Sequence, residues 1–178
     1  MASSGKAWIL KPSGGSEGCG ILLVMKFKDI PAFVFTSDYI AQEYLSDPLL
    51  IDNKKFDLRI YVLVTSIGST DEATAFIADE GLVRLCTKDY ERPDQKNLHN
   101  LLQHLTNYSL NKLSGDYIKS DNLDSLDTDM ASKRTLSSCF ETLKKAGIDT
   151  DYMFEQISEV CQKSLVAIQP FCQKEQAS

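Results

Sequence analysis

Four runs in this 178-residue chain set cations, hydroxyls and glycines at spacings that could hold a phosphorylated ligand. The first is Trp8-Ile9-Leu10-Lys11-Pro12-Ser13-Gly14-Gly15-Ser16-Glu17-Gly18-Cys19-Gly20-Ile21. An apolar strand ends in a lysine, a glycine-rich loop follows, and a second apolar strand begins. Such a loop can lay several backbone N–H groups around phosphate oxygens, with Lys11 adding a point charge. A Walker A loop would instead lead into a helix and carry G-K-S/T, which is absent. The kinase signatures G-x-G-x-x-G, H-R-D and D-F-G are missing too. The same residues would equally make a plain glycine-rich hairpin.

The second run is Lys54-Lys55-Phe56-Asp57-Leu58-Arg59-Ile60-Tyr61-Val62. In a strand, Lys55, Asp57 and Arg59 share one face, while Phe56, Leu58, Ile60 and Val62 anchor the other. Successive charges then stand about 6–7 Å apart, from a rise of ~3.3 Å per residue. The aspartate can hold the flanking cations or accept hydrogen bonds from ribose hydroxyls while the cations meet phosphate. A solvated face with weak ion pairs is the alternative. In the third run, Glu80-Gly81-Leu82-Val83-Arg84-Leu85, a strand puts Arg84 on the face of Glu80 and Leu82. Its guanidinium could bind a phosphate or carboxylate bidentately, or pair with Glu80 at the surface. The fourth, His104-Leu105-Thr106-Asn107-Tyr108-Ser109-Leu110-Asn111-Lys112, is dense in hydroxyls and amides. It suits a ligand-positioning loop or a hydrogen-bonded turn. His99 and His104 lack the partners of a metal site and read as structural or loop histidines.

The elements that must position these residues fall into two kinds. Short β-like runs occupy Ala7–Leu10, Ile21–Phe27, Phe33–Phe35, Phe56–Thr65, Thr74–Ala78 and Leu82–Leu85, divided by Gly, Pro, Ser and Asp. Asn97–His104 could form a helical turn, and 114–130 reads as a mobile acidic loop. The last third is helical in period. Leu136, Phe140 and Leu143 recur on one face and stop at Gly147, and a second helix begins at Asp149–Asp151 and ends at Pro170. Strands first and two C-terminal helices after predict an α+β fold rich in antiparallel sheet, in one domain over residues 1–178.

Composition narrows the function. With 43% hydrophobic and 25% charged residues the chain is ordinary globular protein. The net charge of −6 argues against a nucleic-acid binder. Ile21–Met25 is too short to span a bilayer, so no membrane partner is expected. Met1–Lys6 lacks the apolar region of a secretory signal. Cys19, Cys86, Cys139, Cys161 and Cys172 are scattered, which fits a reducing cytosolic compartment and neither a zinc site nor a disulfide scaffold.

Taken together, and in order, the four runs resemble the tubulin tyrosine ligase-like family, whose catalytic domain is an ATP-grasp fold. Gln42-Glu43-Tyr44-Leu45 with Pro48-Leu49-Leu50 completes the match, and Ile168–Phe171 echoes the end of the following helix. The resemblance runs from about Ala7 to Phe171 and implies an incomplete ATP-grasp core. It implies that Lys11 contacts the α- and β-phosphates beside the loop of Gly18 and Gly20. Gln42, Glu43, Tyr44 and Leu45 would receive the adenine, largely through backbone groups of Glu43 and Leu45. Lys55, Asp57 and Arg59 would serve ribose and phosphate, and Arg84, Thr106 and Asn107 the phosphate and amino-acid end. Lys55 and Arg84 are the residues expected to act catalytically. In that family ATP phosphorylates a carboxylate and an amino acid's amino group attacks the acylphosphate. The protein's part is positioning and charge stabilisation.

The text from Leu45 to Asn111 resembles the glutamate-adding members, so glutamate is the expected co-substrate and the acidic C-terminal tails of tubulin in microtubules the expected acceptor. The implied location is the cytoplasm and cytoskeleton, with cilium or basal body as candidates. Glycine addition, or a non-catalytic nucleotide- or tubulin-binding module, are the alternatives. Two departures bear on activity. Cys19 stands where the family's loop carries a basic residue. The family also binds Mg²⁺ through an Asp and a Glu-x-Asn expected downstream of Ser178, so no metal ligand is assigned within these residues. The 178 residues alone are therefore expected not to catalyse ligation.

Overall fold

The structure, a computed structural model, describes residues 5–67, 73–119 and 131–176. The acidic stretch of the expected loop, 120–130, lies outside them. The fold is mixed α+β. Strands β1 (Trp8–Pro12), β2 (Leu22–Val24) and β3 (Tyr39–Glu43) form an antiparallel sheet ordered β2-β1-β3. A second sheet follows the order β4-β5-β8-β9, from Leu50–Ile51, Lys54–Arg59, Leu82–Leu85 and Lys133–Thr135. Strands β6 (Val62–Ile67) and β7 (Ala73–Ile77) make a hairpin. Helices are α1 (Leu101–His104), α2 (Tyr108–Asn111), α3 (Leu136–Lys145) and α4 (Thr150–Gln176).

The chain divides into two compact units, with boundaries inside β5, β8 and β9. The first is Met1–Asp57 with Arg84–Lys133, the second Leu58–Val83 with Arg134–Ser178. In the first unit the three-stranded sheet has two unlike faces. Ile9, Leu23 and Tyr44 pack with Ala7 and Leu105 into a core that Leu98, Leu101 and Leu110 extend. On the other face Trp8, Leu10, Val24 and Ala41 line an open groove of about 760 Å³ with Phe27 and Phe35. The register explains the division, because Trp8 pairs with Val24 and Glu43 while Ile9 pairs with Leu23 and Gln42.

Phe33–Phe35, expected as a strand, forms part of a 3₁₀ turn over Ala32–Thr36. Pro31 fixes its start at φ −61°, Val34 N–H donates to the Pro31 carbonyl, and the Thr36 hydroxyl closes back onto Phe33. The run Ile21–Phe27 likewise yields only the three residues of β2 before a 3₁₀ turn at Phe27–Asp29. Phe56–Thr65 is two strands rather than one, broken at Ile60 and Tyr61, where the chain changes partner from β8 to β7. Opposite the end of β5, a Cβ on Gly81 would stand 2.6 Å from the Arg59 carbonyl, so only glycine fits.

In the second unit α3 buries Leu136 and Leu143 as their spacing predicts, with Cys139 between them, while Phe140, expected on the same face, is half-buried against Phe154. Gly147 ends it at φ +85°, its N–H bonding Lys144 O while Ile148 N–H reaches Leu143 O, the Schellman closure. Helix α4 starts where expected, with Asp149 Oδ1 accepting from Tyr152 N–H at 3.0 Å. It does not end at Pro170. It runs to Gln176, because the proline removes one hydrogen bond and the carbonyl it frees is on exposed Val166, where water can serve it.

Glu80 is not a partner for Arg84. Its carboxylate accepts from Leu136 N–H at 2.8 Å, from Ser137 N–H and from the Ser137 hydroxyl, capping α3 alongside Thr135. Partial burial opposes ionisation, but the Ser137, Gly81 and Leu136 hydrogen bonds outweigh it and hold Glu80 below the ordinary glutamate range. Glu80→Ala is therefore expected to destabilise the fold by about 1 kcal/mol in denaturant melts at pH 7, the site being exposed. Because the native pKa is the lower one, the difference persists above the unfolded glutamate pKa and disappears as pH falls through the native value.

Candidate functional site

The polar residues of interest gather in the first unit on the side of β1 and β3 that carries Ile9 and Gln42. Lys11, near the end of β1, donates to Gln42 Oε1 on β3 at 2.8 Å. The loop after it turns through Glu17, Gly18 and Gly20, all at positive φ. Its tip is pinned by the Ser109 hydroxyl, which donates to the Glu17 carbonyl at 2.5 Å. A Cβ on Gly18 would meet Asn107 Cγ at 3.0 Å, so the loop and the start of α2 close on each other. Cys19 is exposed in that loop.

Lys55, on β5, points inward. Its ammonium donates to the Tyr44 hydroxyl and the His104 carbonyl, each at 3.0 Å, and stands 4.4 Å from the Tyr44 ring centre. Burial, together with the positive charge of Lys11, lowers its pKa against the opposing pull of Cys86 and Asp57. That electrostatic coupling places Lys11 and Lys55 in one another's field. Asp57, two residues on, receives the Arg84 guanidinium through both carboxylate oxygens, Nε to Oδ1 at 2.9 Å and Nη2 to Oδ2. The Thr106 hydroxyl donates to the same Asp57 at 3.0 Å. Lys11, Lys55 and Arg84, each held by its own partner, thus belong to the unit that carries the glycine-rich loop. This arrangement can meet an anion with several negative oxygens.

The other expected residues divide. Tyr44 is only 5% exposed, its ring lies in the core and its N–H donates to the Ala7 carbonyl at 2.9 Å, so that of its backbone only the carbonyl is left to face a ligand. Glu43 pairs with Lys6 at 2.7 Å, and Leu45 is 79% exposed. Arg59 lies at the end of β5 in the second unit. Asn107 serves the loop, and Asn111, one amide among several in the fourth run, is the buried hub of its turn. It accepts from Thr87 N–H and hydroxyl and donates to the Leu105 and Asn107 carbonyls. The polar density of His104–Lys112 is thus both turn and site. His104 is 1% exposed against Tyr44 and Tyr90, a role that a lone histidine in a polar run does not reveal. Among the described residues no group of three or more His, Cys, Asp and Glu side chains is placed to hold a metal ion, and no helix is long and apolar enough to cross a membrane.

The tubulin-tyrosine ligase family description matches residues 1–178. Human tubulin polyglutamylase TTLL11 is 41% identical over 165 residues, covering 92% of this chain and 22% of that protein. Zebrafish (Danio rerio) tubulin polyglutamylase ttll6 is 40% identical over 169 residues, covering 95% and 20%. Mouse tubulin polyglutamylase TTLL5 is 36% identical over 160 residues, covering 90% and 11%. The chain thus spans about a fifth or less of the length of these relatives. With the family description matched over all its residues, the chain belongs to the tubulin-tyrosine ligase family.

Proposed function

We propose that this chain is the nucleotide-gripping part of an ATP-dependent ligase that adds glutamate to carboxylate side chains on the acidic tails of tubulin. The observation that carries it is the set of held cations, Lys11, Lys55 and Arg84, in the unit that carries the Gly18–Gly20 loop. Each of the three relatives above bears the name tubulin polyglutamylase. Location at the cytoskeleton follows from the same reading.

The roles follow from position. The loop's N–H groups and Lys11 take the inner phosphates, since a glycine loop lets the backbone approach and a lysine adds a point charge. The peptide groups of Gln42 to Leu45 form the edge that receives adenine. Arg84, oriented by Asp57 and Thr106, meets the charge that develops where the terminal phosphoryl group is transferred. Bound Mg²⁺ would supply further charge neutralisation at the phosphates; among the described residues no group of three or more His, Cys, Asp and Glu side chains is placed to hold it.

Titration of the 178-residue chain with ATP, followed through its single tryptophan, Trp8, or by calorimetry, tests the grip. Lys11→Ala is expected to raise the ATP dissociation constant about 10- to 100-fold, the loss of a charged hydrogen bond; an unchanged constant removes Lys11 from the site. Asp57→Asn should weaken ATP binding and also lower stability by about 1–3 kcal/mol in urea melts, because it leaves the half-buried Arg84 without its carboxylate. In an assay of the longer polypeptide, labelled glutamate is expected on tubulin; labelled glycine without glutamate would overturn the choice of amino acid. Cys19→Arg, which restores a cation to the loop, is expected to tighten ATP binding about tenfold in the same titration.

A further inference from the structure

The side chains of Tyr44 and His104 have no part in the reading above, yet they form the immediate surroundings of Lys55. The Tyr44 oxygen lies 3.0 Å from Lys55 Nζ and 3.3 Å from His104 Nδ1. The His104 ring stands edge-on to Tyr44, at 5.7 Å and 88°, and to Tyr90, at 5.8 Å and 89°. Tyr90 is anchored in turn by its hydroxyl on the Ser46 carbonyl at 2.8 Å. The His104 carbonyl takes a second proton of the Lys55 ammonium. Burial, and then the positive charge of Lys55, hold the imidazole below its ordinary pKa, so it is neutral at pH 7. Whichever nitrogen of that neutral ring carries the proton, the Tyr44 oxygen keeps a lone pair for Lys55.

We propose that Tyr44 and His104 are positioning residues for Lys55: His104 fixes the Tyr44 hydroxyl, and the hydroxyl with the His104 carbonyl aims the ammonium at the polyphosphate of a bound nucleotide. A lysine has four rotatable stem bonds, and an ammonium aimed before the ligand arrives loses less freedom on binding. An aromatic hydroxyl suits the task where a carboxylate does not. It holds the ammonium without neutralising it, so the full charge is left for phosphate. The proposal rests on the reading of Lys55 as a phosphate-end cation.

Calorimetry on the 178-residue chain would compare ATP with adenosine for the wild type, His104→Phe and His104→Asn. Phenylalanine keeps the ring and its edge contacts but offers the Tyr44 hydroxyl no nitrogen; asparagine returns a polar group near the place of Nδ1. ATP affinity is expected to fall about tenfold in His104→Phe, the scale of one hydrogen bond to a charge, with adenosine affinity unchanged. His104→Asn should recover most of the loss. Equal losses for ATP and adenosine, or none for ATP, overturn the proposal, as does an asparagine variant no better than phenylalanine. If His104→Phe does not fold, Tyr44→Phe replaces it with the same expected split. A wild-type chain that binds no ATP sinks the nucleotide reading instead. The positioning is then decided by the exchange of the Lys55 ammonium protons in nitrogen-edited NMR. Faster exchange in both Tyr44→Phe and His104→Phe than in the wild type supports it, and unaltered exchange refutes it.

Discussion

Positive charges brought close together repel, and a site that collects them must hold each one before any anion arrives to pull them in. This molecule meets that constraint with three different partners. Lys11 is held by an amide, Lys55 by a phenol and a peptide carbonyl, and Arg84 by the carboxylate of Asp57. Only the last is an ion pair. The choice follows burial, since a guanidinium 17% exposed gains from a bidentate acid, whereas a neutral acceptor keeps an ammonium's charge available. Donors fixed in advance need not reorganise when charge develops beside them, and preorganised sites draw their strength from that.

The scaffold serves this requirement economically. Strand β1 is the middle strand of its sheet, held by β2 through Leu10 and by β3 through Pro12, so Lys11 sits opposite Ile40 just past the β2 pairing. The glycine loop is tied down by its own Cys19 N–H on the Ser16 carbonyl and from distant parts of the chain, by the Tyr39 and Ser109 hydroxyls and the close approach of Asn107. Asn111 then fixes the turn from which Ser109 and Asn107 project. A loop held this way can keep its backbone N–H groups aimed outward without a helix to carry them.

Much of this was legible in the sequence, for identifiable reasons. Periodicity found α3 and the start of α4, and glycine marked the stop at Gly147, because these are local effects of spacing and backbone sterics. The lysine, glycine and charge-row runs marked the polar side of the site. What escaped depended on partners far along the chain. The aromatic run Phe33–Phe35 has strand composition, but Pro31 and the Phe27–Phe35 ring contact at 5.5 Å favour a tight turn. Glu80 looked like a neighbour of Arg84 on one strand and instead caps a helix 56 residues away. Tyr44 belonged to the expected adenine edge, yet its side chain turns into the core to meet Lys55 and His104. A side chain's direction is set by what packs against it, and a single sequence does not state that.

The arrangement of Asp57, Arg84 and Thr106 also bears on how this protein can change over generations. The three residues lie on separate stretches of chain and share one carboxylate. Replacing the acid alone strands a guanidinium, and replacing the guanidinium alone leaves the acid its Thr106 hydroxyl but takes away the bidentate cation, so either step by itself passes through a weakened ancestor. Lineages can leave the arrangement only by altering two positions nearly at once. These positions should therefore be inherited together or lost together, even where the surrounding strands drift freely.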